Sequence, residues 1–441
     1  MDQRRRSRAL TAVLASLALT AAAAAPARAA SDPMLHDQWA LTDPAATGVK
    51  QAWTQSLGAG VVVAVLDSGI QLDHPDLANN IWTNPGEIPG NGIDDDHDGY
   101  VDDVHGANIT QRNGNVADDN GHGTHVAGIV AAEQGNGIGG SGIAPRAKIM
   151  VVKVLDANAR GDSSQLALGI RYAVDEGARI LNVSINGDGT SPDLNAAVAY
   201  AGQHGATIVA SAGNDGRDLD VTPSYPVSLT DPAILGVTAT QQGGGLLSIA
   251  DRGLRTIDLA APGDHILSTT LGSDYAWREG TSMAAPFVSG ALALLASARP
   301  DLPQPLLRYA LERSASRPSL LSGLVGYGNL DVGAAMHLIL PSALWRTATS
   351  DEVVRLAVTA SRRVRAGSSA TVRWTAQGAA RVAHWRVLLD GHRVRTLPEG
   401  QRRLRARILR PGTHRWKVVG VDADGRRLAV EARRFKALSG V

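Results

Sequence analysis

The sequence predicts an α/β domain, built as a parallel sheet with helices on both faces, followed by a small all-β domain, and three observations carry that expectation. From about residue 61 to 341, short β-branched runs alternate with longer helical patterns, the rhythm of parallel strands joined by crossover helices. After Pro341 the rhythm changes to period-two alternation, as in Thr371-Val372-Arg373-Trp374 and Arg415-Trp416-Lys417-Val418. Charge changes sign at the same place. Residues 31–340 hold 16 Lys and Arg against 34 Asp and Glu, a net of −18, whereas 341–441 hold 22 against 7, a net of +15. The whole-chain charge of +1 conceals two regions of opposite electrostatic character.

Candidate strands of the first domain are 61–66, 148–155, 179–184, 206–211 and 234–238, and candidate helices are 123–132, 163–176, 194–204 and 282–298. In the second, roughly seven short strands fit, with turns at Asp390-Gly391, Pro411-Gly412 and Asp424-Gly425. That pattern suits a small sandwich of the immunoglobulin or fibronectin type III kind. At 441 residues, 44% hydrophobic and 19% charged, the chain can fold as two domains, expected at 30–340 and 341–441.

Residues 1–29 are expected to form a secretory signal peptide. Arg4, Arg5, Arg6 and Arg8 precede an apolar run over 9–25, and Ala27-Arg28-Ala29 offers small residues for cleavage. The run is alanine-rich and falls short of the ~20 strongly apolar residues of a spanning helix. No other stretch is expected to span a membrane, so the mature protein is expected outside the cell or in a periplasm. The chain has no cysteine, and its durability there must come from core size, bound metal or both.

A serine hydroxyl becomes a strong nucleophile when an imidazole is adjacent, a carboxylate fixes the imidazole tautomer, and donors meet the developing oxyanion. Asp67 ends the apolar strand Val61-Val62-Val63-Ala64-Val65-Leu66, at the edge where open α/β sheets place their sites. His122 lies in Gly121-His122-Gly123-Thr124-His125, just before a helical stretch. Ser282 lies in Gly280-Thr281-Ser282-Met283-Ala284 at the start of a long apolar helix, whose unpaired N–H groups can hold an anion. Asn214 follows Ala210-Ser211-Ala212-Gly213 and offers a side-chain donor. Singly, each has a plainer reading as a turn residue, a loop histidine or a helix N-cap.

Together, in the order Asp, His, Asn, Ser, these segments resemble those of subtilisin-like serine proteases over roughly residues 32–340. The resemblance implies that Ser282 attacks the scissile carbonyl and His122 moves the proton. Asp67 would hold His122, Asn214 and the Ser282 N–H would form the oxyanion hole, and His125 would be a helix residue packed nearby. An extended polypeptide substrate would pair with the segment around Gly161 and with Ser184-Ile185-Asn186-Gly187. The P1 side chain would enter between the second segment and the stretch holding Ala212 and Gly213, with Ser224 near the floor. No charge is visible there, so apolar or aromatic P1 residues are expected. The family usually has glycine where this chain has Asn186, a side chain able to narrow the cleft.

The same resemblance implies a calcium ion held by Asp32, Asp76, the Asn136 side chain and the carbonyls of Glu133, Ile138 and Gly140. A second calcium site is expected from the residues alone. Asp94, Asp96 and Asp98 alternate before Gly99, with Tyr100 and Asp102 after it, like an EF-hand opening that lacks its closing glutamate. Such crowded carboxylates repel one another without a cation. No organic cofactor is expected.

Ser31-Asp32-Pro33 is expected to open the mature enzyme without the inhibitory propeptide usual in the family. The basic C-terminal domain is expected to bind anionic surface polymer or to dock on the acidic enzyme. It has no recognisable nucleic-acid-binding motif and few aromatics for stacking. A catalytically inactive, subtilisin-shaped binding protein of the cell surface is the rival from another class; it would lack a working residue, and none of the four is missing. The acid-active relatives that pair serine with glutamate have aspartate where Asn214 stands, and the glycine-bracketed His122 argues against them.

Overall fold

A computed structural model describes residues 31–340 and then 355–360, 363–365, 368–377, 384–390, 392–398, 401–407, 411–421 and 427–438. The expected signal segment and the turn Asp424-Gly425 lie outside the described residues.

The aliphatic runs form a sheet of parallel strands: β1 (Val62–Asp67), β2 (Gly106–Asn108), β3 (Lys148–Lys153), β4 (Ile180–Val183), β5 (Thr207–Ser211), β6 (Ile234–Thr240) and β7 (Leu259–Pro262). A hairpin of β8 (Ile266–Thr270) and β9 (Asp274–Arg278) stands apart, and β10 (Gly328–Asn329) completes the sheet in the order β10-β7-β6-β5-β4-β1-β3-β2. The helices are α1 (Trp39–Thr42), α2 (Val49–Ala52), α3 (His122–Ala131), α4 (Ser163–Asp175), α5 (Pro192–Gln203), α6 (Thr281–Ala298), α7 (Gln304–Ser314) and α8 (Val332–Ile339).

Both faces of the sheet are covered, as the near-continuous apolar strands require. Along β1, Val63 and Val65 join the core that holds Val126 and Val130 of α3 and Leu292 of α6. Ala64 and Leu66 point the other way, into the core with Ile170 of α4 and Val198 of α5. From β1 the chain goes to the edge strand β2, comes back to β3 beside β1, and then lays β4 to β7 on the other side. Strand order thus reverses at β1, and ligand sites of open α/β sheets form at the carboxyl edge of such a point. Asp67 is the last residue of β1.

A local signal explains where α4 begins. Asp162 caps α4 by accepting from the N–H groups of Ser164 and Gln165, while the Gln165 side chain accepts from the Asp162 N–H. That capping box stabilises the start by about 1 kcal/mol. Helix α6 was not expected to be a span, yet its 18 residues have a mean hydropathy of 1.4, enough to cross a membrane by length and composition. It is instead the central core helix, with 78% of that stretch buried.

The C-terminal residues form β11 (Arg355–Ala360), β12 (Arg363–Arg365), β13 (Ser369–Gln377), β14 (His384–Leu389), β15 (His392–Pro398), β16 (Arg403–Arg407), β17 (Gly412–Val421) and β18 (Arg427–Leu438). They make two small sheets, β11-β13-β16 and β12-β18-β17-β14-β15, antiparallel except where β12 meets β18. Trp374, Trp385 and Trp416 are fully buried together with Val387, Val418 and Phe435, an all-β core as expected.

Packing of α6 against the sheet-side loops leaves no slack. A Cβ added to Gly290 would stand 1.9 Å from Ile143 Cγ2. Alanine is the better helix former by about 1 kcal/mol, but overpacking costs about 1–3 kcal/mol. Gly290→Ala is therefore expected to lower the denaturant midpoint of unfolding, and a raised midpoint would show that the contact yields.

Candidate active site

The carboxyl edge of the sheet brings Asp67 and His122 together. Asp67 is fully buried, and its Oδ1 accepts from the Ser68 N–H and from His122 Nδ1, both at 2.8 Å. A carboxylate only accepts, so Nδ1 carries the proton and Nε2 is the basic nitrogen. Burial alone would lower the His122 pKa, but the charge and hydrogen bond of Asp67 outweigh it and raise the pKa above the ordinary imidazole value. His125, on the same helix, is fully buried, with Nε2 at 3.0 Å from the Ala276 carbonyl. Burial pushes its pKa down to about 4.

Helix α3 can approach β1 this closely because residue 123 is glycine: a Cβ there would be 2.1 Å from the Gly69 carbonyl oxygen. Sequence reasoning missed the residue that shapes the turn into α3. Asp118 accepts from the N–H groups of Asn120, Gly121 and Thr124 and from the hydroxyls of Thr124 and Ser68. Burial pushes its pKa up, but these donors more than reverse that, and it lies below the usual carboxylate value. A carboxylate four residues before the histidine was the available signal.

Ser282 is the second residue of α6, and its Oγ donates to the Ser184 carbonyl at 2.9 Å. In return Ser184 Oγ donates to the Ser282 carbonyl at 2.9 Å, and it accepts from Asn182 Nδ2 at 2.9 Å. The Asn182 Oδ1 accepts from Ser289 Oγ at 2.8 Å. This buried chain ties the start of α6 to the segment Ser184-Ile185-Asn186-Gly187.

Thr281, also missed from sequence, orients Asn214. Asn214 Oδ1 accepts from the Thr281 N–H at 2.9 Å and the Thr281 hydroxyl at 3.2 Å, which itself accepts from the Gly213 N–H at 3.0 Å. A backbone N–H can only donate, so the oxygen end must face Thr281 and Nδ2 is turned away as a free donor.

A cleft of about 580 Å³ runs from His122 past Gly161 and along residues 184–187 to Tyr225. Ala212 and Gly213 lie across from that segment, and Asn186 Nδ2 is 2.9 Å from where a Gly213 Cβ would be. Ser224 is fully buried and accepts from Asn186 Nδ2 at 3.0 Å.

The first expected metal set also converges. Asp32 accepts from the N–H groups of Gly135 and Gly137, and fully buried Asp76 accepts from Asn136 Nδ2 at 2.7 Å and the Tyr275 hydroxyl at 3.1 Å. Burial, with the charge of Asp32 adding to it, pushes Asp76 up to about 6. Two carboxylates and a carboxamide in a loop of backbone carbonyls are a hard-oxygen donor set that fits calcium. Asn136 presents its nitrogen here, so as a ligand its carboxamide must turn over. The Glu133 side chain points elsewhere, accepting from Asn79; only its carbonyl could serve, as could those of Ile138 and Gly140.

In the second set, Asp94, Asp96 and Asp98 come together but Asp102 does not join them. Its carboxylate accepts from the Asn91 and Gly92 N–H groups. Fully buried Asp103 takes that place, grouped with Asp96 and Asp98, while Glu87 groups with Asp94 and Asp96. Glu87 is only 7% exposed, and its Oε2 has no hydrogen-bond partner. The Tyr100 N–H donates to Asp98. An orphaned buried carboxylate oxygen among other carboxylates fits a cation.

The sequence model of the subtilase family matches residues 58–328. The chain belongs to the subtilase family and is a serine endopeptidase. Thermitase of Thermoactinomyces vulgaris is 39% identical over 269 residues, covering 61% of this chain and 86% of thermitase. The major intracellular serine protease of Bacillus subtilis strain 168 is 39% identical over 251 residues, 56% of this chain and 72% of that protein. Among solved structures, a protease of Pseudoalteromonas arctica PAMC 21717 matches with a TM-score of 0.60 at 28% identity, over 71% of this chain and 100% of that one.

Burial and the neighbouring carboxylates raise Asp98 to about 7, Asp103 to about 6 and nearby Glu176 to about 7. These groups hold protons more tightly folded than unfolded, where carboxylates titrate near about 4. Without metal, stability is then fully present below about pH 4 with respect to these groups and is lost as pH rises through about 7. In chelator, the melting temperature is expected to be lower at pH 8 than at pH 5, and calcium should restore it at pH 8. Equal melting with and without calcium at pH 8 would remove both metal sites.

Proposed function

We propose that the chain is a secreted endopeptidase in which Ser282 is the nucleophile, His122 the general base, Asp67 the residue that orients it and Asn214 an oxyanion donor. The observation that supports this most is the 2.8 Å contact of His122 Nδ1 with Asp67 Oδ1, which leaves Nε2 free to take a proton. Attack needs Ser282 Oγ to turn from the Ser184 carbonyl to Nε2, a rotation about one bond. As Oγ bonds the scissile carbon, its proton passes to Nε2, and the carbonyl oxygen becomes an anion facing Asn214 Nδ2 and the Ser282 N–H. Collapse expels the amine, which takes the proton from His122. Water then enters and gives a proton to Nε2 as its oxygen bonds the acyl carbon; the acyl–Oγ bond breaks as Nε2 passes that proton back to Ser282 Oγ, releasing the acid.

An extended polypeptide would pair with the segment at Gly161 and with residues 184–187. Its P1 side chain would enter between that second segment and Ala212-Gly213 above Ser224, residues that carry no charged side chain of their own. Secretion is read from residues 1–29 and not from the family, since one relative is named as an intracellular protease.

Calcium is the proposed resident metal. Asp32, Asp76 and Asn136, with the carbonyls of Glu133, Ile138 and Gly140, would hold one ion; Asp94, Asp96, Asp98, Asp103 and Glu87 would hold another. The ion would supply positive charge that closes these loops, and no catalytic step runs through it.

The C-terminal domain, proposed to begin at 341, would bind anionic surface polymer. Exposed Arg373 and Arg403 sit directly opposite each other on β13 and β16, and β11, β13 and β16 contain no acidic residue. Like charges so placed are destabilising, and a shared polyanion relieves them.

Purified protein should digest casein and react with a fluorophosphonate, and Ser282→Ala should abolish both. Asn214→Ala should slow kcat by on the order of 10²–10³-fold, the range for losing the corresponding kind of donor in subtilisin. Neutral His122 is the working form and its pKa is raised, so kcat/KM should fall on acidification with a midpoint above about 6.5. A lower midpoint, or an unchanged rate in Asn214→Ala, would remove the role concerned. Retention of the full chain on heparin should weaken with salt and be reduced in the Arg373→Gln/Arg403→Gln variant. Retention that ignores both would leave the basic face to the acidic enzyme domain.

A further inference from the structure

The space expected for a P1 side chain already holds a carboxamide. Asn186 reaches from its own segment to the floor, where Nδ2 donates to buried Ser224 Oγ at 3.0 Å. On the far wall, a Cβ built on Gly213 would come within 2.9 Å of the same nitrogen. One polar group therefore touches the near wall, the floor and the opposite wall, and a P1 ring must displace it.

The floor has no room to drop. Gly187 and Tyr225 exchange backbone hydrogen bonds at 2.9 and 2.8 Å, and Ser224 Oγ donates onward to the Gly187 carbonyl at 3.3 Å. The rest of the cleft is open, and beside Arg160, Asp162 and Ser163 it offers apolar surface from Leu155, Leu166, Ile185, Leu194 and Tyr225. Charge narrows the choice further. Arg217 contacts Asp188 at 2.7 Å, Asp215 at 3.0 Å and buried Asp251 at 3.4 Å, so three carboxylates beside the pocket share one guanidinium. A P1 carboxylate would meet net negative charge.

We propose that Asn186 narrows the P1 pocket, so that this peptidase cleaves after small uncharged residues in preference to large ones and takes more of its side-chain recognition along the rest of the cleft. This rests on the assignment of Ser282 and His122, and it narrows the apolar P1 preference to alanine-sized residues, disfavouring the aromatic ones. Swinging Asn186 out breaks one hydrogen bond to a group that keeps its other partner. A cost of that size corresponds to about tenfold discrimination, not absolute exclusion.

The test is kcat/KM of the full-length protein on peptide p-nitroanilides differing only at P1: Ala, Phe and Glu. Alanine is expected to exceed phenylalanine by about tenfold, with glutamate weakest. Asn186→Gly should raise the Phe rate and erase or reverse the order, and Asn186→Ala should do so in part. Fluorophosphonate labelling of Ser282, done in parallel, reports that each variant is folded and has a working nucleophile. Phenylalanine favoured by the unmodified protein, or an order unmoved in labelled Asn186→Gly, overturns the pocket assignment and leaves the peptidase intact. Absence of both labelling and turnover in the unmodified protein overturns the catalytic assignment, and this proposal with it.

Discussion

The hydrogen bond between Asp67 and His122 depends on how close a helix can come to the end of a strand. Gly123 meets the Gly69 carbonyl where any side chain would collide, and the Gly123 N–H donates to Ser68 Oγ at 3.0 Å. Ser68 in turn donates to Asp118, whose other donors come from the turn leading into α3. A buried carboxylate is costly unless its oxygens are met by donors. Here the turn that delivers His122 is also the turn that satisfies Asp118, so the imidazole is placed by backbone geometry and not by its own side-chain bond alone. Buried Lys153, at the end of β3 beside Asp67, bonds the Ser68 carbonyl and Asp119 and holds the same turn from the other side.

The serine is placed by a different device. The chain Ser289, Asn182, Ser184, Ser282 crosses from the middle of α6 to the end of β4 and back to the start of α6. Polar networks of this kind specify a unique arrangement when every member is satisfied. Because Ser184 also opens the segment that would receive substrate, the position of that segment and that of the Ser282 backbone constrain each other. Two hydrogen bonds thus tie Ser184 to Ser282, residues 98 apart in sequence.

What could be read from the residues follows from range of interaction. Continuous aliphatic runs such as 61–66 gave the strands, since burial on both faces leaves a purely local signature. The motifs around His122 and Ser282 were legible because glycine is demanded there by backbone contact, as Gly123 shows. The hairpin Ile266–Thr270 with Asp274–Arg278 was not read; its strands are short, and the second is largely exposed with no clean apolar face. Glu87 escaped notice because it joins the acidic loop only through folding, and Asp103 was passed over for its neighbour Asp102, which fits the linear spacing but is turned away to cap a neighbouring turn. The bond from Asn186 to Ser224 spans 38 residues and has no trace in either local sequence. Helix α6 shows the reverse case: composition alone gives it the look of a span, and only tertiary burial explains its apolarity.

The absence of cysteine makes the carboxylate loops more consequential. Asp32 joins the N-terminal residues to the loop after α3, with the Met34 N–H donating to the Gly139 carbonyl at 2.7 Å beside it. Among the described residues, no Lys or Arg forms an ion pair with Asp32, Asp76, Asp94, Asp96, Asp98 or Asp103. Lysines and arginines stand elsewhere, above all in the last hundred residues, so the protein itself leaves this negative charge uncompensated. A cation that binds only the folded loops stabilises the fold in proportion to its concentration relative to its dissociation constant. Without such a cation the same carboxylates would repel one another beside the loop that begins at Glu133, which follows the carboxyl end of α3. His122 sits at the other end of that helix, so a change at these carboxylates would reach the contact of His122 with Asp67 through a single helix.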